Sequence, residues 1–233
     1  MSHCCSSCYC CCCPWHPAHN NTEAEQEPLM IPQSARQLRR PTEVMSGKDG
    51  RISAKIVNVA ELDQCFANIV DTFNHQHSNY ITLCEFIRLL KECCQCNVLT
   101  DCFQTLQHEH RDFTVKLDMR GYNFSLSVQP NQSIPRQLLL AQQYTKELCT
   151  STKSILAADP KLQEMINSML QTEDQHLEMV KHVNESYQAR TRCLSNAKDN
   201  FMELRRAKQF SNLHKELADR VLKDIVEIVG INV

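Results

Sequence analysis

The chain has 233 residues, 25 of them Lys or Arg and 27 Asp or Glu, and the net charge of −2 excludes nucleic-acid binding through a general basic character. Only four glycines and eight prolines are present, which argues against a fold of many short strands and for long helices that bury the 42% hydrophobic residues. Fifteen cysteines, an odd number, without a secretory leader or an apolar run of membrane-spanning length, speak against a secreted disulfide scaffold.

Residues 1–55 hold five of the eight prolines and, outside the cysteines, no apolar run at helical spacing, the composition of a disordered tail. Within it, seven of the ten residues 4–13 are cysteine: Cys4, Cys5, Cys8, Cys10, Cys11, Cys12 and Cys13. A cytosolic compartment keeps thiols reduced. Two uses of such a cluster then remain open, thioester-linked fatty acids or coordination of Zn or Cu(I) by thiolates. Adjacent thiols without spaced His or Gly favour the lipid. One acyl chain binds reversibly and two anchor stably, since each buried CH₂ contributes about 0.8 kcal/mol. Trp15, beside Pro14, suits a membrane interface. Between residues 34 and 55 six bases stand against two acids, and Arg36, Arg39 and Arg40 form the cluster that an anionic leaflet would attract, at about 1 kcal/mol per charge near the surface.

The cysteine run is similar to the S-acylated clusters of cysteine-string proteins. Just beyond it, residues 25–30 resemble an acidic dileucine-type sorting signal of the kind carried by lipidated endolysosomal scaffold proteins, with Glu25, Leu29 and Met30 as its candidate residues. The resemblance covers about thirty residues of the tail and implies attachment to the cytoplasmic face of a membrane. Ser2 stands where N-myristoylation requires Gly, and Met30 where a second Leu or Ile is usual.

Order is predicted to begin near Asn58, which has Glu61 three residues later as in a capping box. Leu62, Cys65, Phe66, Ile69, Val70 and Phe73 then fall on one face of a first helix. The polar stretch 74–79 ends it. A second helix carries Ile81, Cys84, Ile87, Leu90 and Cys94, with Val98, Phe103 and Leu106 extending it toward His110. At Phe113 the period changes to two: Phe113, Val115 and Leu117, a turn over 118–121, then Tyr122, Phe124, Leu126 and Val128, which reads as a β-hairpin. A lone hairpin is marginal in water and must lie on the helices. After Pro135 a helix with Leu138, Ala141, Leu148 and Ile155 on its inner line should stop near Ala158, because Asp159-Pro160 reads as an N-cap and a first-turn proline. From 161 to 229 neither Gly nor Pro occurs, a span of about 100 Å as one helix. The expectation is one long arm with a kink or break near 195–200, Thr172 being the other candidate break. Leu213, Leu217, Val221, Ile225 and Ile228 form its distal apolar stripe.

Chemistry-bearing residues are few beyond the tail. Cys93, Cys94, Cys96 and Cys102 with His108 and His110 offer soft ligands, but they lie on a predicted helix with no glycine to fold a zinc loop. The favoured reading places Cys94 in the core and leaves the others partly exposed. Glu173-x-x-His176 is half of a carboxylate-bridged di-metal motif whose second half is missing, and reads as solvated helix surface. There is no P-loop, Gly-x-Gly-x-x-Gly, Gly-x-Ser-x-Gly or His-Glu-x-x-His motif. The sequence thus leads to a mainly α-helical bundle with a long C-terminal arm and a single hairpin near 113–128, a disordered tail over 1–55 preceding a helical domain over 56–233. The function expected is that of a non-catalytic adaptor or scaffold, without cofactor or resident metal and without nucleic-acid partners. Its lipidated tail would hold it on an endolysosomal, Golgi or plasma membrane, and its helical surface would bind protein partners or a second copy of the chain. The alternatives are a Zn or Cu(I) protein that uses the N-terminal thiolates, and a helical structural component of a coiled-coil complex.

Overall fold

Long amphipathic segments with few helix breakers fold as helices in a computed structural model that describes residues 50–129, 133–183 and 186–230. The described residues form five helices and two strands: α1 Ala60–Cys93, α2 Leu99–Glu109, β1 Thr114–Arg120, β2 Asn123–Gln129, α3 Arg136–Gln171, α4 Glu173–Val183 and α5 Tyr187–Val229. The mainly α-helical bundle with a single hairpin is therefore as predicted.

Helices α1, α3 and α5 have 34, 36 and 43 residues, about 50–65 Å of helix each. Their apolar faces meet in two clusters. In the first, Leu83 and Leu90 of α1 join Leu138, Leu148 and Ile155 of α3 and Val221 and Ile225 of α5. In the second, Phe66 and Ile69 join Leu162, Ile166, Ala197 and Phe201, and the Phe66 and Phe201 rings meet edge-on at 5.4 Å. This order makes α1 and α5 parallel and α3 antiparallel to both.

Small elements close each cluster. Strands β1 and β2 pair antiparallel with Val115 opposite Val128 and Leu117 opposite Leu126. The period-two pattern turns Val115, Leu117, Phe124 and Leu126 inward over the first cluster, together with α2. The turn is Gly121-Tyr122 rather than 118–121. Gly121 has φ 57°, the left-handed setting needed at the first central position of a two-residue type II′ turn. Over the second cluster lie α4, through Val180, and an extended strap of residues 51–57 that inserts Ile52 and Val57.

The strap is fixed by side chains from two helices. Asn74 of α1 accepts from the Ile52 N–H and donates to the Ile52 carbonyl, both at 3.0 Å. Asn200 of α5 does the same for Lys55, both at 2.8 Å, and Lys55 also pairs with Asp199 at 2.7 Å. Residues 51–55, assigned from composition to the tail, are thus part of the packed structure. Asn200→Ala is expected to lower the unfolding free energy by about 2 kcal/mol, two hydrogen bonds at about 1 kcal/mol each. Urea unfolding checks this, and an unchanged midpoint would show that the strap contributes nothing.

Several boundaries depart from expectation. Residues 74–79 do not interrupt α1, because Gln76 and His77 are buried and Asn74 is engaged with the strap. Asn58 is not the N-cap. Val59 holds that position, and the Asp63 carboxylate accepts the Val57 N–H at 2.8 Å. The second predicted helix is instead the end of α1 and a separate α2. Cys96 N–H reaches the Lys91 carbonyl at 2.9 Å and Gln95 N–H the Glu92 carbonyl at 3.2 Å, the two bonds of a Schellman motif, with Gln95 at φ 53° in the seat usually taken by Gly. Asp159 is no cap either, and Pro160 lies inside α3. The proline removes one helical bond and costs about 3 kcal/mol. Burial of Ile155, Leu162 and Ile166 along the same face contributes roughly 1.5–3 kcal/mol each and outweighs it. Finally, α3 gives way to α4 at Thr172, and α5 runs unbroken through 195–200, where Ala197, Asn200 and Phe201 are buried.

Candidate functional site

The residues from which a membrane role was read, Cys4, Cys5, Cys8, Cys10 to Cys13, Glu25, Leu29, Met30, Arg36, Arg39 and Arg40, lie outside the described residues. Two other constellations are brought together by the fold.

The first is a polar layer between the apolar clusters, where α1, α3 and α5 meet through Gln76, His77, Asp159, Ser211 and His214, all buried. His77 Nδ1 and His214 Nε2 are 3.2 Å apart, and His214 Nδ1 is 3.3 Å from Gln76 Oε1. Gln76 Nε2 donates to the Ile155 carbonyl at 3.5 Å, which sets the amide with its oxygen toward His214. In the assignment that satisfies this network, His214 donates from Nδ1 and accepts at Nε2 from His77. The Tyr80 ring stacks on His214 at 4.3 Å between centroids, with Phe73 at 5.7 Å. Loss of solvent, and secondarily the neighbouring His77, push His214 down to about 3. Burial, then Cys84, pushes the Tyr80 hydroxyl up to about 12. Asp159 accepts from Ser211 Oγ at 3.2 Å and lies 3.1 Å from Lys215 Nζ. Ser211 donates to Asp159 and not to an imidazole, so the layer is not arranged as a Ser-His-Asp relay. What it holds is a pair of imidazoles, with His214 neutral, in a site that penalises a proton.

Sequence reading missed this layer by treating 74–79 as a break. The available signal was spacing: Gln76, His77 and Tyr80 follow Phe73 at three, four and seven residues, on the face already defined.

The second constellation is the α1–α2 corner. Cys94 and Cys102 are buried, Cys93 and Cys96 partly exposed. Cys93 Sγ turns toward the Gln137 carbonyl at 3.8 Å, and Gln137 Nε2 donates to the Cys93 carbonyl at 3.0 Å. Cys96 Sγ lies 3.3 Å from Thr105 Oγ1, and Cys102 Sγ 3.3 Å from the Val98 carbonyl. Cys96 Sγ also donates to the Cys94 carbonyl at 3.2 Å. The neighbouring Cys94 thiol holds Cys102 below the ordinary thiol range against the opposing effect of burial, while the Cys102 thiol and burial push Cys94 well up. His108 pairs with Arg111, and His110 with Gln137 at 2.7 Å. The six candidate ligands therefore do not converge, and among the described residues no group of three or more His, Cys, Asp or Glu is disposed to hold a metal ion. Contrary to expectation, Cys102 belongs to the core.

Glu173 and His176 are also engaged rather than solvated. Glu173 pairs with Arg205, and His176 Nε2 lies 2.7 Å from Thr172 Oγ1 with its ring over Phe201. Among the described residues no helix is long and apolar enough to cross a membrane. Compared with known proteins, the chain matches no family model, no curated protein and no solved structure.

Proposed function

We propose that the protein is a non-catalytic, lipid-anchored adaptor on the cytoplasmic face of a membrane, whose helical bundle offers its surface to protein partners. The observation that carries this reading is the thiol density of the tail, seven cysteines in ten residues. That number exceeds the two acyl chains a stable anchor requires. Trp15 suits the interface, and Arg36, Arg39 and Arg40 supply the charge that an anionic leaflet attracts. In this reading attachment falls to the tail, and the bundle remains free to present exposed apolar side chains such as Leu139, Met202 and Tyr187.

The test is replacement of Cys4, Cys5, Cys8, Cys10, Cys11, Cys12 and Cys13 together by Ser. The variant is expected to leave the membrane fraction and to melt as the wild type does, and the wild-type tail peptide to carry hydroxylamine-labile mass that the variant lacks. An unchanged membrane fraction overturns the reading. So does a wild-type tail that carries no labile mass and instead binds Zn or Cu(I).

A further inference from the structure

Residues 51–57 lie between α1 and α5 as an extended peptide lies in a receptor. Val57 is held by Asp63 and Ile52 by Asn74, and the path between those points is about 16 Å whether counted along the extended strap or along the helix. The grip is on the peptide backbone. Asn74 and Asn200 each take one N–H and one carbonyl, at Ile52 and at Lys55, as a neighbouring strand would. Asn196 Nδ2 adds a bond to the Ile56 carbonyl at 2.8 Å. Side chains set the register: Ile52 and Val57 enter the second cluster, Ser53, Ala54 and Ile56 face outward, and Lys55 meets Asp199. Among the described residues the strap is joined to the bundle at one end, through Asn58 and Val59. Asn58 turns it back along α1 with φ 60°, a left-handed setting that Asn tolerates better than most residues bearing a Cβ.

We propose that this groove is a docking site for the same segment of a second copy, so that two chains exchange residues 51–57 and form a two-fold dimer. The contacts name the occupant. A partner peptide has to supply apolar side chains at the places of Ile52 and Val57 and a cation for Asp199 in one extended register, and a second copy carries that segment unchanged. Exchange remakes each bond between strap and groove in the other chain and alters only the hinge at Asn58. A short tether holds a strap over its own groove at an effective concentration in the millimolar range, so the ease of the left-handed turn sets the balance between closed monomer and exchanged dimer. The exchange is independent of what the tail carries.

The test uses the full chain, kept reduced, with its mass followed by light scattering from about 10 µM to about 1 mM, the range bounded by that effective concentration. Asn58→Ala, which resists the turn, is expected to dimerise at least about tenfold more tightly than Asn58→Gly, which accepts it. Both lose the bond from Asn58 Nδ2 to Cys193 Sγ, so the difference reads the backbone alone. A charge swap then locates the contact. The Lys55–Asp199 pair is partly exposed, so reversing one partner leaves the core intact. In the Asn58→Ala chain, Lys55→Glu or Asp199→Lys alone sets like charges together whether the strap lies in its own groove or in that of an identical copy. When the two variants are mixed, exchange restores an opposite-charge pair in both seats, and native mass spectrometry at low salt is expected to show heterodimer well above the statistical mixture. Asn58→Ala monomeric at every concentration overturns the proposal. So does equal dimerisation of the Ala and Gly variants, or a statistical mixture of charge-swapped dimers, which marks association through another surface.

Discussion

Val221→Asp is expected to abolish cooperative folding or to destabilise the bundle by roughly 4 kcal/mol or more, whereas Leu213→Asp is expected to leave the melting temperature nearly unchanged. Both residues belong to the apolar stripe read from the sequence, and the fold separates them. Val221 is 2% exposed, in the cluster formed with Leu83, Leu90 and Leu148, where a new carboxylate would lose its water among alkyl side chains. Leu213 is 44% exposed. Eight residues at 3.6 per turn leave the two about 80° apart around the helix, enough to carry one end of the stripe out of the core. The face that α5 buries instead runs through Leu204, Ala207, Ser211, His214, Ala218, Val221, Leu222 and Ile225. Thermal unfolding of the two variants decides the matter, and the opposite pattern would mean that α5 is rotated from the setting described.

Mild acid is expected to loosen the contact of α1 with α5. His214 sits near 3 in the folded protein against an ordinary value of 6.5, so the unfolded chain binds the extra proton over that interval. The corresponding stability is fully present above 6.5 and is lost as pH falls toward 3, at about 1.4 kcal/mol per unit, or roughly 2–3 kcal/mol by about pH 4.5. The groups around the imidazole do not offset this. Gln76 and Tyr80 are neutral, and the Asp159 carboxylate is engaged by Ser211 and Lys215. Other histidines and carboxylates add their own slopes, so the informative measurement is urea unfolding of wild type and His214→Gln across the same pH series. The variant is expected to be less stable near neutrality and to show a shallower acid slope. A wild-type slope no steeper than the variant's would remove the pair from any role in acid sensitivity.

The hairpin was legible because period two, a glycine turn and a short span leave few alternatives. The inner faces of α1 and α3 were equally plain from their spacing. The end of α1 was not, since the left-handed seat that normally announces itself as Gly is filled by Gln95. The Asp159-Pro160 signal was overridden by apolar contacts on either side of it, and Asn200, within the segment 195–200 read as a break, serves a tertiary contact with Lys55 instead. The imidazole pair joins residues 137 apart in sequence, a proximity that no local period encodes. The thiol corner was visible as residue types, but which of them are buried depends on the turn at Gln95.

Apolar stripes on long helices repeat with every turn, and alkyl contacts alone are satisfied almost as well when one helix is displaced along another by about 5.4 Å. The polar layer removes that degeneracy. Sliding α5 by one turn would carry Ser211 and His214 into an apolar cluster and leave Gln76 and the Asp159 carboxylate facing hydrocarbon, at about 1–3 kcal/mol for each polar group stranded and more for the charge. Adhesion therefore comes from the clusters at either end, while axial alignment comes from the middle, as a single buried polar position does in a coiled coil. A bundle rebuilt with leucine throughout that layer would still hold together, but its three long helices would no longer have a unique register.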